Sequence, residues 1–192
     1  MTKYVLLGGV IHNALDGGKS FVDEIVKDIN HRPVKILDCI FARPKEDWDK
    51  RFLIDKGFLN QHLKECEIEL ASPEKFIDQI KKSDIIFFQG GVPHQLMNVL
   101  GRIDGWINEL NGKVVVASSG GADALVKYYG VGKTGRVGEG LGLLSIKLIP
   151  HWKSNYAEDA VDWDRLFEKL KLHGEDLEIF ALREGEFRVI EK

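Results

Sequence analysis

The segment Val114-Val115-Val116-Ala117-Ser118-Ser119-Gly120-Gly121-Ala122 holds the arrangement best suited to chemistry in this sequence. An apolar β run meets a turn of small residues, and a helix-compatible stretch follows. Position for position it matches a G-x-S-x-G nucleophile elbow, with Ala117 in the first Gly slot. Such a bend is strained and lifts the Ser hydroxyl clear of the sheet. Flanking residues larger than Gly or Ala would strike the neighbouring strand. The amide of Gly120 follows Ser119 at the start of the helix, where it can donate to a developing oxyanion. A Ser that merely caps a helix after a Gly-rich turn has the same sequence signature. The adjacent Ser118 leaves the register open.

Two other segments supply what such a Ser would need. Phe87-Phe88-Gln89-Gly90-Gly91 ends an apolar run in bare backbone, so Gly91 is the candidate for a second oxyanion amide. Ile149-Pro150-His151-Trp152 places an imidazole just past another apolar run. Activation of a Ser requires a base of near-neutral pKa, which His supplies. His12 and His94 also follow Gly-Gly pairs and rank behind His151.

Other motifs fail on spacing. Gly18-Lys19-Ser20 and Gly132-Lys133-Thr134 suggest a phosphate loop, but the Gly needed five positions earlier is Asn13 in one and Lys127 in the other. Gly8-Gly9 has no further Gly to make a dinucleotide fingerprint. Neither the two Cys, Cys39 and Cys66, nor the six His show metal-ligand spacing, so no metal or other cofactor is expected.

The elements that must carry these residues alternate. Short apolar runs at Tyr4 to Leu7, Val34 to Ile40, Cys66 to Leu70, Asp84 to Phe88, Lys113 to Ala117 and Leu144 to Pro150 read as strands. Between them lie helical patterns: Phe21 to Ile29, Lys45 to Lys64 with a break near Gly57, a helix starting at Ser72-Pro73, Gln95 to Leu110 interrupted at Gly101 and Gly105, Ala122 to Tyr129, and Asp159 to Leu172. Gly130 to Gly142 reads as a Gly-rich loop. Leu177 to Leu182 and Phe187 to Ile190 read as a closing β-hairpin around Arg183-Glu184-Gly185-Glu186. Strand–helix alternation predicts a three-layer α/β/α sandwich with a mostly parallel central sheet. Ligands of such sheets sit beyond the carboxyl ends of the strands, where Gly91, Ser119 and His151 all fall.

At 192 residues the chain is expected to be a single domain, residues 1–192. Its 27 basic and 30 acidic residues give a net charge of -3, which argues against a nucleic-acid partner. The first apolar run is too short for a signal-peptide core, and no stretch approaches the ~20 apolar residues of a membrane span. A cytoplasmic protein, monomer or homodimer, is the expectation.

Together the double-Gly strand end, the Ser-Gly-Gly-Ala elbow and Gly140-Leu141-Gly142-Leu143-Leu144 leading to Pro150-His151 resemble the serine peptidases of family S51. That family includes aspartyl dipeptidase (peptidase E) and cyanophycinase, and its fold resembles the class I glutamine amidotransferase domain. The resemblance implies a small-peptide hydrolase that cuts a peptide or isopeptide bond next to an acidic residue. It implies Ser119 as nucleophile, His151 as base, and Gly91 and Gly120 as oxyanion donors. Ala117 and Gly120 depart from the usual Gly-x-Ser-Ala-Gly, and Val92-Pro93-His94 departs from the usual residues after the double Gly. For the acid, dipeptidase-like members place an Asp between Ser and His, where this chain offers Asp123 and Glu139. Cyanophycinase-like members place it after the His, in a turn that Ala181-Leu182-Arg183-Glu184-Gly185 resembles. Glu184 is favoured, with Glu139 second. Lys153 and Arg165 are the candidates for contacting an acidic substrate side chain.

Two other readings share the fold. A glutamine amidotransferase would need Cys at the elbow and a carboxylate two residues after the His, where this chain has Ser119 and Lys153. A catalytically silent binding module would keep the fold alone.

Overall fold

Alternation along the strands decides what each face of the main sheet buries. Val114 and Val116 point to one side with Val5, Leu7, Ile36, Ile85 and Phe87; Val115 and Ala117 point to the other with Leu6, Leu37, Ile86 and Phe88. Both faces are apolar, as a parallel sheet covered on both sides requires. The computed structural model describes residues 1–155 and 161–192. In chain order the elements are β1 (Lys3–Leu7), α1 (Lys19–Val26), β2 (Val34–Cys39), α2 (Trp48–His62), β3 (Cys66–Leu70), α3 (Phe76–Lys82), β4 (Ile85–Phe88), α4 (Pro93–Leu100), β5 (Val114–Ser118), α5 (Gly120–Leu125), β6 (Val126–Val131), β7 (Arg136–Glu139), β8 (Leu144–Ile149), α6 (Trp163–Lys171), β9 (Ile179–Ala181) and β10 (Phe187–Glu191).

The main sheet runs β10-β1-β5-β4-β2-β3 and is parallel except for β10, which lies antiparallel on β1. Phe21, Val22 and Ile25 of α1 and Leu59 of α2 cover one face. Phe76 and Ile80 of α3, Leu96 and Leu100 of α4, and Ala122 and Leu125 of α5 cover the other. The architecture is thus mixed α/β, with mostly parallel sheets and helices on both sides.

Besides this expected central sheet there is a second one, β7-β6-β8-β9. Its Leu144, Ile146 and Leu148 join the core beneath α5, and its outer face packs on Leu166 and Leu170 of α6. Lys147, fully buried in β8, donates from Nζ to the carbonyl of Lys171 at 2.8 Å. A cation is thereby held at the negative end of α6, which fixes the helix on the sheet.

Several local expectations give way to tertiary context. α2 runs unbroken through Gly57, because burial of Leu59 outweighs a Gly cost of about 1 kcal/mol. The expected interruption at Gly101 is present, by contrast: α4 ends at Leu100, and Asn108–Leu110 is a separate turn. α5 stops at Leu125, since Val126 and the Tyr128-Tyr129 pair are strand formers that find partners in β7 and β8. The Gly-rich loop contains β7, with Gly138 beneath the ring of Tyr129. Ser72 does not cap α3; its hydroxyl bonds Glu74 at 2.6 Å, and α3 starts only at Phe76. α6 is capped by Asp162, which accepts from the Arg165 amide at 2.9 Å; the expected start at Asp159 lies outside the described residues.

The expected closing hairpin does not form. β9 pairs parallel with β8 in the second sheet, while β10 pairs with β1 in the first. Alternation marks a strand but not its partner. The consequence is functional: the turn between β9 and β10 crosses from one sheet to the other and passes the carboxyl end of β1.

Candidate functional site

At the end of β5 the chain bends at Ser119, with φ 49° and ψ -122°. A side chain at positive φ costs on the order of 1–3 kcal/mol, and such strain clusters at functional sites. The bend is held by backbone bonds on both sides. The Ser119 amide donates to Leu7 O at 3.1 Å, and its carbonyl accepts from the Asp123 amide at 2.9 Å. No side-chain capping bond is made by Ser119, so the helix-cap reading does not describe it. Its Oγ lies 2.6 Å from Nε2 of His151.

His151 follows β8 and Pro150, also at positive φ (56°). Its amide donates to Gly8 O at 2.6 Å, and the next amide, of Trp152, donates to Leu182 O at 2.9 Å. The imidazole is thus held between the end of β1 and the β9–β10 turn. Nδ1 lies 2.5 Å from Oε1 of Glu184, and the other carboxylate oxygen accepts from the Val10 amide at 2.5 Å. Both Glu184 oxygens are occupied, which fixes the carboxylate against the ring.

Glycines make this proximity possible. A Cβ on Gly9 would lie 2.6 Å from Nδ1 of His151 and would strike the Glu184 carboxylate. A Cβ on Gly8 would lie 2.6 Å from Leu182 O. On the other side of Ser119, a Cβ on Gly120 would run into the backbone of Gly91, and one on Gly121 would sit 2.8 Å from Gln89 O. Gly90 is close enough that its Cβ would stand 3.2 Å from that of Ser119. The β4 end and the elbow therefore lie backbone on backbone, with Gly91 beside Gly120 and Gly90 beside Ser119.

These residues open into a cavity of about 370 Å³ lined by Gly9, Val10, Gly90, Gly91, Ser119 and His151. It is also lined by Arg43, Arg51, Asp55 and the apolar Ile54 and Phe58, from α2 and the segment before it, and by His12 and Gln89. Arg51 of α2 binds Asp55 through two contacts, at 2.9 and 2.7 Å. Burial pushes the Asp55 carboxyl above its ordinary range, against the pull of Arg51. Arg43 has no carboxylate within ion-pair distance among the described residues, and its Nε is buried without a hydrogen-bond partner. Burial, and then the charge of Arg51, lowers its pKa. Deeper still is Asp38, at the end of β2 and wholly buried. Its Oδ1 accepts from Gln89 Nε2 at 2.8 Å and its Oδ2 has no partner. Burial raises its pKa well above the usual value, helped by the nearby charge of Asp55.

Sequence reasoning and geometry can be matched residue by residue. Ser119, His151, Glu184, Gly91 and Gly120 converge on one place. Glu139 does not: it is an exposed β7 residue 3.7 Å from His173. Asp123 is buried inside α5 with one oxygen unpartnered, and burial raises its pKa. His12 lines the cavity, whereas His94 sits exposed in the first turn of α4. Lys153 pairs with Asp164 at 3.6 Å, and neither Lys153 nor Arg165 lines the cavity. The cationic residues that do, Arg43 and Arg51, were missed, as were Asp55, Gln89 and the Val10 amide. Only Gly8-Gly9 offered a signal, as a second bare strand end facing the elbow strand.

No family model matches the chain, and no curated protein does. Solved structures do. A peptidase from an acI-B1 Actinobacterium superposes with a TM-score of 0.72 at 20% identity, covering 99% of this chain and 83% of that one. A Listeria monocytogenes EGD-e protein described as a candidate peptidase E superposes with a TM-score of 0.69 at 15% identity, covering 100% of this chain and 98% of that one. The fold is shared with these proteins. Among the described residues, no helix is long and apolar enough to cross a membrane, and no group of three or more His, Cys, Asp or Glu could hold a metal ion.

Proposed function

We propose that this protein is a serine peptidase that hydrolyses a small peptide or isopeptide next to an acidic residue. The observation that carries the reading is the unbroken chain from Ser119 Oγ through His151 to Glu184, at 2.6 and 2.5 Å. His151 takes the proton from Ser119 as the oxygen attacks the scissile carbonyl, then returns it to the leaving amine. Glu184 holds the ring in the tautomer that leaves Nε2 free to accept and stabilises the imidazolium once formed. The amides of Gly91 and Gly120 receive the oxyanion. An acyl-enzyme forms on Ser119, and water, deprotonated by His151, releases it. The likeness of fold to two proteins described as peptidases supports the same reading. An acidic substrate group is supported by Arg43, a cavity-wall guanidinium without a carboxylate partner among the described residues.

A fluorophosphonate probe tests the chemistry. Wild type is expected to be labelled, and Ser119→Ala is not. Against an Asp-Xaa dipeptide library, Ser119→Ala should fall by about 10⁶-fold in kcat, the loss typical of a removed nucleophile. Well-folded wild type that takes no label would point instead to a binding module. A library left intact beside turnover of a simple ester would remove the peptidase assignment and keep the hydrolase.

A further inference from the structure

We infer that Asp38 is a positioning residue for the oxyanion strand and acts through Gln89; this rests on the serine-hydrolase reading above. Gln89 is the last residue before Gly90-Gly91, and it is almost wholly buried. The segment it begins is fastened along the end of β2 by backbone bonds: Gln89 N to Cys39 O at 2.9 Å and Val92 N to Ala42 O at 2.7 Å. Its other side lies flat on the elbow, where Gly120 and Gly121 leave no room for a side chain. Beside the first of those backbone bonds, the Asp38–Gln89 bond at 2.8 Å ties the segment to β2 through a side chain.

A carboxyl is an expensive way to make that tie. Asp38 is fully buried and one of its oxygens has no partner, whereas native interiors pair nearly all buried polar groups. An apolar residue at the end of β2 would satisfy packing alone. Departures from local consistency of this kind concentrate at functional sites. What the bond holds is the height of the Gly91 amide over the Ser119 oxygen. An oxyanion donor acts only when its distance to the developing charge is right.

The experiment reads the rate of Ser119 phosphonylation by a fluorophosphonate, separated into its maximal rate and its half-saturating concentration. Asp38→Ala and Gln89→Met should each lower the maximal rate about tenfold with half-saturation unchanged. Asp38→Asn, which keeps an acceptor for the Gln89 amide, should restore the rate to within about twofold. The double variant Asp38→Ala/Gln89→Met should lose no more than either single variant, as partners in one bond do. Should Asp38→Ala fail to fold, Gln89→Met and Asp38→Asn carry the test. Single variants that label at the wild-type rate, or a double variant that loses the product of both effects, overturn the inference alone. An unlabelled wild type overturns the hydrolase reading and this inference with it.

Discussion

The two walls of the cavity are built on different principles. The Ser119 wall is made by backbone: four strand ends brought so close that Gly8, Gly9, Gly91, Gly120 and Gly121 can carry no side chain. The Arg43 wall is made by long side chains from α2 and the segment before it, with Arg51 folded onto Asp55 and Arg43 left toward the cavity. A wall of backbone has one geometry and tolerates almost no substitution. A wall of flexible side chains can be retuned one residue at a time without disturbing the first. On the proposed function, the difference separates how bond cleavage is achieved from how a substrate is chosen.

The comparison is broken most easily at Glu184. Glu184→Gln should lower kcat on any substrate by about 10⁴-fold, because an amide no longer secures the required His151 tautomer. Glu139→Gln, at an exposed site, should leave it unchanged, and steady-state kinetics of the two variants check both. Next comes Gly9→Ala, whose Cβ must displace the imidazole or the carboxylate. About a hundredfold loss of kcat is expected, equal for charged and neutral substrates, as misplacement near 1 Å typically gives. Arg43→Gln should behave differently. It should cost about tenfold in kcat/KM on an Asp-containing peptide and leave the Asn isostere untouched, through loss of a charge-assisted bond. If both substrates suffer alike, the division between the walls is wrong.

The smallest effect concerns stability. Asp123 is buried behind the elbow with its pKa raised by desolvation, so the folded state favours the protonated acid. The unfolded chain loses that proton near pH 4. The contribution of Asp123 to stability is therefore greatest below that pH and declines as pH rises from there toward its folded-state value. Asp123→Asn should flatten this slope and gain about 1 kcal/mol at neutral pH, as read by urea denaturation at pH 4 and pH 7.

The division also explains what could be read from the sequence. The elbow was legible because its parts are contiguous: a strand, Ser119 and two Gly within nine residues. The β4 and β8 ends were legible because bare backbone and a His at strand termini are local signals. Glu184 was reachable only through family resemblance, since the segments around it were expected to pair with each other. Nothing in α2 marked Arg51 or Asp55, which lie among the ordinary charges of a surface helix until the fold turns them to the cavity. The same is true of Asp38, whose meaning depends on Gln89, fifty-one residues away. Val126 to Tyr129 shows the converse failure, where helix continuity was expected and cross-strand partners decided otherwise.

The crossing of the β9–β10 turn between the two sheets bears on how the protein matures. A nascent polypeptide that has emerged only as far as Ala181 holds the hydroxyl and the imidazole, but no anion to orient them. The edge of β1 also stays open until β10 adds to it. On the serine-hydrolase reading, the site is therefore incomplete until Glu184 and β10 have joined the layers that precede them in the chain.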